Sequence, residues 1–232
     1  MNTLSRQDEQ KRAAALAALD ELMPDTIVGV GTGSTVNFFI EGLAERKSQF
    51  RGAVSSSAAS TLRLRDLGIR VWSLNELLAE GLTIPVYVDG ADEINSRLHM
   101  VKGGGGALTQ EKIIAAASQR FVCVADASKL VNTLGRYPLP VEVIESARQL
   151  ISQRFLRLGG EAKLRAGFIS DNGHPILDVS GLTIVDPVAL EDEINGWPGL
   201  VTVGLFARRS ADLALIAAAE GIRRILPERR AL

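Results

Sequence analysis

The residues best suited to chemistry lie in one stretch, YVDGADEINSRLHMVKGGGGALTQEKIIAAA. Two acids, Asp89 and Asp92, end an apolar run, and Lys102 and Glu111 follow, the latter near the start of a predicted helix. Four glycines, residues 103–106, come directly after the lysine. Glycine has no side chain to pack and loses the most conformational entropy on folding, so this run favours close approach of the backbone to a bound molecule. We interpret the stretch as a ligand-binding and catalytic loop.

These side chains fit proton transfer next to a carbonyl group. Such a reaction needs a base for a carbon-bound proton, a donor or cation for the developing enediolate, and groups that move protons between two oxygens. Glu111, Lys102 and the pair Asp89 and Asp92 can take these roles in that order. Plainer interpretations stay open, because the helix dipole favours a carboxylate at Glu111, and the aspartates can form a turn or hold a weakly bound magnesium ion.

A second candidate binding segment follows the first predicted strand. TIVGVG is typical of a buried strand, and GTGSTVNFFIEGLAER of a glycine turn that leads into a helix. Amide groups at a helix start suit an anion, and the hydroxyls of Thr32, Ser34 and Thr35 can donate to phosphate oxygens. Ser34 breaks the GxGxxG pattern of dinucleotide sites, and no lysine follows a glycine as in a Walker loop. The segment therefore favours a small phosphate monoester.

The composition argues against several classes of protein. The 232 residues are 46% hydrophobic, enough for one large α/β domain or for a domain with a smaller partner. The 26 basic and 27 acidic residues form no long run, which disfavours nucleic acid and anionic membranes as partners. Cys123 is the only cysteine, and His99 and His174 lie far apart, so we expect no disulfide framework, no metal site and a buried Cys123. With no membrane-length apolar run and no leader pattern, we expect a soluble cytoplasmic protein.

The predicted elements bring the candidate residues to one edge of a sheet. Strands at TIVGVG, RGAVSSS, IPVYV and FVCVAD alternate with helices, which indicates an α/β domain. IPVYV delivers Asp89 and Asp92 at its carboxyl end, where open parallel sheets form their ligand crevice. We also expect Ser5 to cap an N-terminal helix, a strand to begin at Ile69, and Thr109 to cap the helix QEKIIAAASQR.

A second unit begins near Leu134, where GRYPLPVEVI marks a proline-rich boundary. Its segments read as strand VEVI, helix ESARQLISQRFLRL, strands EAKLRAGFIS and PILDVS, helix DPVALEDEING and strand LVTVGLF. This βαββαβ order is the split βαβ pattern of ferredoxin-like domains. Asp171, Asn172 and Gly173 read as an ordinary hairpin turn, so we predict no catalytic residue in this unit. The final segments, DLALIA and GIRRILPERR, are expected to rejoin the first domain.

Several long segments together resemble one known family: TIVGVGTGST, AVSSS, YVDGADEIN, the glycine run, ALTQEKI, ADASK, LPVEV and TVGLFA. In order and spacing they are similar to ribose-5-phosphate isomerase of type A. The resemblance implies reversible interconversion of D-ribose 5-phosphate and D-ribulose 5-phosphate in the pentose phosphate pathway, without a cofactor or a metal. It also implies a Rossmann-like domain, residues 1–134 and 208–232, a ferredoxin-like lid and oligomerisation domain, residues 135–207, and assembly as a homodimer or homotetramer.

The resemblance also implies roles for individual residues. Glu111 becomes the proton acceptor. We predict in addition that Asp89 assists opening of the sugar ring and that Lys102 stabilises the enediolate oxygen. Two positions depart from the family pattern, since Ala58 stands where an acid is common and Gly106 where alanine is frequent. The substrate-binding residues that the resemblance implies are Thr32, Gly33, Ser34, Thr35, Asp89, Gly90, Ala91, Asp92, Lys102, Gly103, Gly104, Gly105, Lys129 and Lys11.

Two other functions stay open at this point. A non-enzymatic phosphosugar sensor can share this kind of fold. Such a sensor usually carries a basic DNA-reading module, whereas the sequence shows one predicted helix before the first strand. An isomerase of another sugar phosphate also fits the pattern, because the width of the pocket cannot be read from the sequence.

Overall fold

The computed structural model describes residues 4–227, which contain thirteen strands and seven α-helices. The strands are β1 (Ile27–Val30), β2 (Gly52–Ser55), β3 (Ile84–Asp89), β4 (Glu93–Ile94), β5 (Met100–Val101), β6 (Ser118–Asp126), β7 (Leu139–Val143), β8 (Glu161–Leu164), β9 (Ile176–Ser180), β10 (Leu200–Val203), β11 (Leu205–Phe206), β12 (Leu213–Ala218) and β13 (Gly221–Ile225). The helices are α1 (Arg6–Ala17), α2 (Ser34–Glu45), α3 (Ala58–Asp66), α4 (Leu74–Ala79), α5 (Leu108–Ala117), α6 (Arg148–Arg157) and α7 (Pro187–Asn195). None of the helices in this described part is long and apolar enough to cross a membrane.

The large sheet has six strands in the order β13-β12-β6-β3-β1-β2. Five of them are parallel, and β13 runs antiparallel at one edge. Helices α1 and α2 pack together on one side of the sheet, and α5 packs against β3 and β6. Val28 and Phe39 belong to one core cluster, while Tyr87, Ile114 and Phe121 belong to another. Most of the parallel strands are therefore buried on both faces, which explains why they read as continuous apolar runs, whereas the edge strand β13 is largely exposed.

The second sheet is antiparallel, with four strands in the order β10-β7-β9-β8. Helices α6 and α7 cover it, and their core includes Phe155 and Trp197, whose ring centroids are 5.0 Å apart in an edge-to-face arrangement. The elements follow the βαββαβ order of a ferredoxin-like unit. The predicted fold class, a mainly parallel Rossmann-like sheet with a smaller ferredoxin-like unit, is confirmed. The boundaries at residues 134 and 207 stay predictions.

A short third sheet, in the order β11-β5-β4, was not predicted in full. The expected single strand LVTVGLF is wrong, because the chain leaves the second sheet at Gly204 and enters the short sheet through β11. The Gly204 amide donates to the carbonyl of Pro140 at 2.8 Å, and its carbonyl accepts from the amide of Lys102 at 2.9 Å. This crossing point ties β7 to the residue that follows β5.

The helix over QEKIIAAASQR is shorter than predicted and has a different start. Ala107 is the residue before α5, it provides no side-chain cap, and Thr109 lies inside the first turn. The Thr109 hydroxyl donates instead to Glu142 of β7, at 2.5 Å. The helix ends at Ala117 because Ser118 already pairs with β3 as the first residue of β6.

The strand expected from Ile69 is also absent from the described residues. After α3 the chain forms one isolated bridge, between Ala53 and Val71. Ser73 then caps α4 in a capping box, so only a short extended segment fits beside β2. The predicted cap at Ser5 is confirmed, since its side chain accepts from the Asp8 amide.

We predict that Gly204→Ala destabilises the protein by about 1–3 kcal/mol or more, because overpacking here meets rigid backbone. An added Cβ would lie 2.8 Å from the Pro140 carbonyl oxygen and closer still to that of Lys102. Urea denaturation measures the change in the free energy of unfolding. Gly196→Ala is the matched control, since its backbone is helical and its Cβ would meet only ordinary contacts. Equal losses in the two variants would contradict the role of Gly204.

Candidate active site

A cavity of about 160 Å³ lies where the carboxyl ends of β1 and β3 meet the glycine run and the start of α5. All the predicted site residues line this cavity except Asp89. One residue that the sequence did not indicate, Gln7 of α1, also lines it. The full lining is Gln7, Lys11, Thr32, Gly33, Ser34, Thr35, Gly90, Ala91, Asp92, Lys102, Gly103, Gly104, Gly105, Glu111 and Lys129.

The centre of the site is a buried lysine between two carboxylates. Lys102 Nζ lies 2.7 Å from Asp89 Oδ2 and 3.3 Å from Glu111 Oε2, and it donates to the Gly90 carbonyl at 2.6 Å. The exposed fractions of the three charged residues are 2% for Lys102, 0% for Asp89 and 4% for Glu111. They come from the residue after β5, the end of β3 and the first turn of α5. Sequence reasoning predicted these three residues, and the fold brings them together.

Asp89 lies behind Lys102 and is held on both of its oxygens. Oδ1 accepts from the backbone amides of Thr32 at 3.0 Å and Gly90 at 2.7 Å, and Oδ2 accepts from the hydroxyl of Tyr87. Gly31 is required beside it, since a Cβ there would overlap the Asp89 carboxylate. Asp89 thus joins the ends of β1 and β3 and fixes the lysine.

Asp92 faces the cavity and holds the glycine run from one side. Its Oδ2 accepts from the Gly104 amide at 2.7 Å. From the other side, Arg165 donates to the carbonyls of Gly103 and Gly104, both at 3.2 Å. Arg165 is itself oriented by two hydrogen bonds to Asp178 of β9. The glycine run is therefore clamped between the two units of the fold, and its amide groups are held in place at the cavity wall.

The start of α2 forms the opposite wall of the cavity. Gly33 precedes the helix with a φ of 110°, a value that favours glycine, and no side chain caps the first turn. The first amide groups of a helix have no acceptor within the helix, so those of Ser34 and Thr35 suit an anion. Lys11 and Lys129 add positive charge to the cavity lining.

The charges in this site change one another's ionisation. Burial, together with the negative charge of Asp89, raises the pKa of Glu111 to about 8, although Lys102 opposes the shift. Burial alone would lower the pKa of Lys102, but Asp89 and Glu111 outweigh it and raise that pKa above the ordinary value. Lys102 therefore stays protonated, and Glu111 can exchange a proton near neutral pH.

Three groups near the site escaped sequence reasoning. Gln7 lies one helical turn before Lys11, a spacing that places both on one face of α1 and that could have indicated it. Tyr87 lies two residues before Asp89 on β3, where burial raises the pKa of its hydroxyl and keeps it protonated. Arg165 lies 62 residues from Gly103 in the chain, and no local pattern indicates its contact.

The prediction for Cys123 is confirmed. The thiol is fully buried in β6, and burial raises the pKa of Cys123 to about 12. A thiol in this state is not a nucleophile at neutral pH.

Known proteins resemble this chain over most of its length. The family model described as Ribose 5-phosphate isomerase A (phosphoriboisomerase A) matches residues 52–221. The ribose 5-phosphate isomerase A of Neisseria gonorrhoeae is 47% identical, with a TM-score of 0.93, and the match covers 98% of this chain and 100% of that one. The ribose 5-phosphate isomerase A of Methanocaldococcus jannaschii is 34% identical, with a TM-score of 0.88 and coverage of 94% and 99%. A D-ribose-5-phosphate isomerase in complex with phospho-erythronic acid is 34% identical, with a TM-score of 0.89 and coverage of 96% and 100%.

We predict that Lys102→Met lowers the free energy of unfolding by about 3–5 kcal/mol, because it leaves Asp89 buried without its cation. Urea denaturation at pH 8 measures the loss. Lys11→Met is the control, since the Lys11 ion pair with Asp8 is partly exposed and contributes at most about 1 kcal/mol. A loss for Lys102→Met no larger than that of the control would contradict a central role for the buried lysine.

Proposed function

The chain belongs to the ribose 5-phosphate isomerase A family, and from that premise we propose that it interconverts D-ribose 5-phosphate and D-ribulose 5-phosphate as an aldose-ketose isomerase of the pentose phosphate pathway. One observation carries the proposal. Glu111, with its raised pKa, and the cation of Lys102 lie 3.3 Å apart, are almost fully buried and line the same cavity. A carboxylate of this kind is suited to remove a proton from carbon, and the ammonium is suited to stabilise the oxygen anion that results.

The phosphate of the substrate binds at the start of α2 in this proposal. The amides of Ser34 and Thr35 and the hydroxyl groups of the 32–35 segment supply donors, and Lys11 and Lys129 supply charge. A phosphate held here places the sugar carbons toward Lys102 and Glu111, on the opposite side of the cavity. The phosphorylated sugar acid bound by one relative has the same combination of a phosphate and a short polar carbon chain.

Different acidic residues take part in ring opening and in proton transfer in this proposal. Asp92 lines the cavity, so we assign to it the contact with the ring oxygen and the hydroxyl at C1. Asp89, which is saturated by Tyr87, Thr32 and Gly90, acts by holding Lys102. In this assignment the sequence-based role of Asp89 in ring opening passes to Asp92.

The chemical step moves one proton between two carbons. Glu111 removes the proton from C2 of the open-chain aldose, and the electron pair forms the enediolate with its negative charge on the oxygen at C1. Lys102 stabilises that charge. Glu111 returns the proton to C1, the hydroxyl proton at C2 passes to the oxygen at C1, and the ketose results. The step balances with the residues of the chain alone.

A binding-only sensor has no need of a buried base, so no observation in the described residues favours that alternative. We also propose that the protein is cytoplasmic and that it forms a homodimer or homotetramer, the assembly that the resemblance implies. Analytical ultracentrifugation distinguishes the two assemblies.

We predict that Glu111→Gln lowers kcat by at least about a hundredfold with little effect on KM, because the base is lost while the phosphate site is intact. A coupled assay with ribose 5-phosphate measures both constants. With wild-type protein in D2O, deuterium should appear at C1 of the recovered ribulose 5-phosphate. Near-normal turnover of the variant would refute the assignment of Glu111, and a product without deuterium would indicate a hydride shift instead.

We predict that kcat/KM rises with pH through a midpoint near 8, because only the ionised form of Glu111 accepts a proton and its pKa is raised to about 8. The phosphate group of the substrate loses its second proton at about pH 6. Any change in kcat/KM caused by that ionisation therefore lies well below the midpoint expected for Glu111 and can be distinguished from it. The measurement is a pH profile of initial rates between pH 5 and about 9.5. A single rise in kcat/KM with a midpoint near the ordinary pKa of a glutamate side chain would contradict the raised pKa of Glu111.

A further inference from the structure

A second buried carboxylate lies outside the cavity, on the ferredoxin-like unit. Glu142 of β7 has an exposed fraction of 0%. Its oxygens accept from the hydroxyl of Thr109 at 2.5 Å, from the hydroxyl of Ser170 at 2.7 Å, and from the side-chain amide of Asn172 at 3.0 Å. All three donors are neutral. A carboxylate is seldom fully buried unless specific partners stabilise it. The contacts of Glu142 therefore indicate a specific role for this residue.

One of these contacts reaches the first turn of α5, which carries Glu111, directly, and a second reaches it through Asn172. Thr109 bonds to Glu142 directly, and Gln110 donates to the side-chain oxygen of Asn172 at 2.6 Å. Asn172 in turn donates to Glu142. Ala107, the residue before α5, provides no side-chain cap. The network of hydrogen bonds formed by Glu142, Asn172, Thr109 and Gln110 holds the first turn of α5 instead, as a capping residue usually does. The two residues directly before Glu111 are thus anchored to the other unit of the fold.

Glu111 itself has one ion pair among the described residues, with Lys102. Its Oε2 is buried and has no hydrogen-bond partner among the described residues. The distance of 3.3 Å to Lys102 Nζ is longer than the usual charge-assisted hydrogen bond. The position of this carboxylate therefore depends on where the backbone of α5 places it.

We propose that Glu142 is a positioning residue, which fixes the first turn of α5 through Thr109 and Asn172 and so holds the carboxylate of Glu111 at the reacting carbons. The proposal rests on the isomerase function above and adds to it a residue that doesn't touch the substrate. The proposed phosphate site is at the start of α2, on the other side of the cavity, and among the described residues no hydrogen bond or ion pair joins it to this network. Disturbing Glu142 should therefore affect the chemical step and leave binding of the phosphate intact.

The size of the effect follows from the geometry of proton transfer. A displacement of about 1 Å in a catalytic group can lower the rate by about a hundredfold. Loss of one anchoring bond loosens the first turn of α5 without removing it, since Lys112 still bonds to Glu191 at 2.5 Å and to the carbonyl of Leu205 at 2.6 Å. We therefore expect losses between about tenfold and about a hundredfold in kcat.

The test compares Thr109→Val with Thr109→Ser. Valine has nearly the shape of threonine but no hydroxyl, while serine keeps the donor. Thr109→Val should lower kcat for ribose 5-phosphate by about tenfold or more with KM changed by less than about twofold, and Thr109→Ser should stay close to wild type. Equal losses in the two variants, or wild-type kcat in Thr109→Val, would overturn the proposal.

A double-variant cycle with Glu142→Gln shows whether the two residues act through one bond. If they do, the loss in kcat for Thr109→Val with Glu142→Gln is smaller than the product of the two single losses. If the two losses multiply, the residues act independently and the proposal fails. Should Glu142→Gln not fold, the Thr109 pair decides alone, because Thr109 is only half-buried.

A substrate-free readout separates this proposal from the isomerase function. Carbon-13 NMR titration of the Glu111 carboxyl group in the unliganded protein should give a midpoint near 8 in wild type and in Thr109→Ser. In Thr109→Val the midpoint should fall toward the ordinary carboxyl value, because a displaced Glu111 is better solvated. An unchanged midpoint would overturn the positioning role even if the protein isomerises ribose 5-phosphate. A shifted midpoint in a protein without isomerase activity would support positioning and refute the proposed function.

Discussion

The burial of one ammonium group between two carboxylates is the interaction on which the rest of this structure depends. A charge removed from water is stable only when partners of opposite charge and hydrogen bonds replace the solvent. Lys102 obtains these partners from the end of β3 and from the start of α5, and its own backbone is fixed by Gly204. Three separate segments of the chain must therefore come together around this one residue. The loops and short strands around the site serve this convergence.

The two units of the fold contribute different things to the cavity. The parallel sheet supplies the amide groups at the start of α2 and the acids at the end of β3. The ferredoxin-like unit supplies no charged group to the cavity lining. Its side chains instead bind residues of the larger unit that line the cavity or lie next to those that do. Arg165 fixes the carbonyls of the glycine run, and Glu142 and Glu191 anchor the residues on either side of Glu111. The smaller unit thus acts as a frame that holds the glycine run and the start of α5.

Much of the fold and most of the cavity lining could be predicted from the sequence, because the signals were local. Apolar runs marked the strands, glycine and proline marked the turns, and the family resemblance assigned Glu111 and Lys102 to one site. The failures share a physical cause, which is that contacts between distant segments override local pattern. Thr109 has the sequence of a cap but bonds to β7, and Gly204 divides one apolar run between two sheets. The position of Asp89 behind Lys102 could not be predicted from the sequence either, because it depends on how the segments come together in the fold.

The burial of Cys123 has a practical consequence for labelling the protein. Because the only thiol of the chain is buried and firmly protonated, a cysteine introduced at the surface would be the one group that reacts with maleimide reagents. Spectroscopic labels can therefore be attached in pairs without first removing the native cysteine. A pair that joins the hairpin near Asp171 to α3, whose first amide bonds to that aspartate at 2.9 Å, would report directly on the separation of the two units in solution.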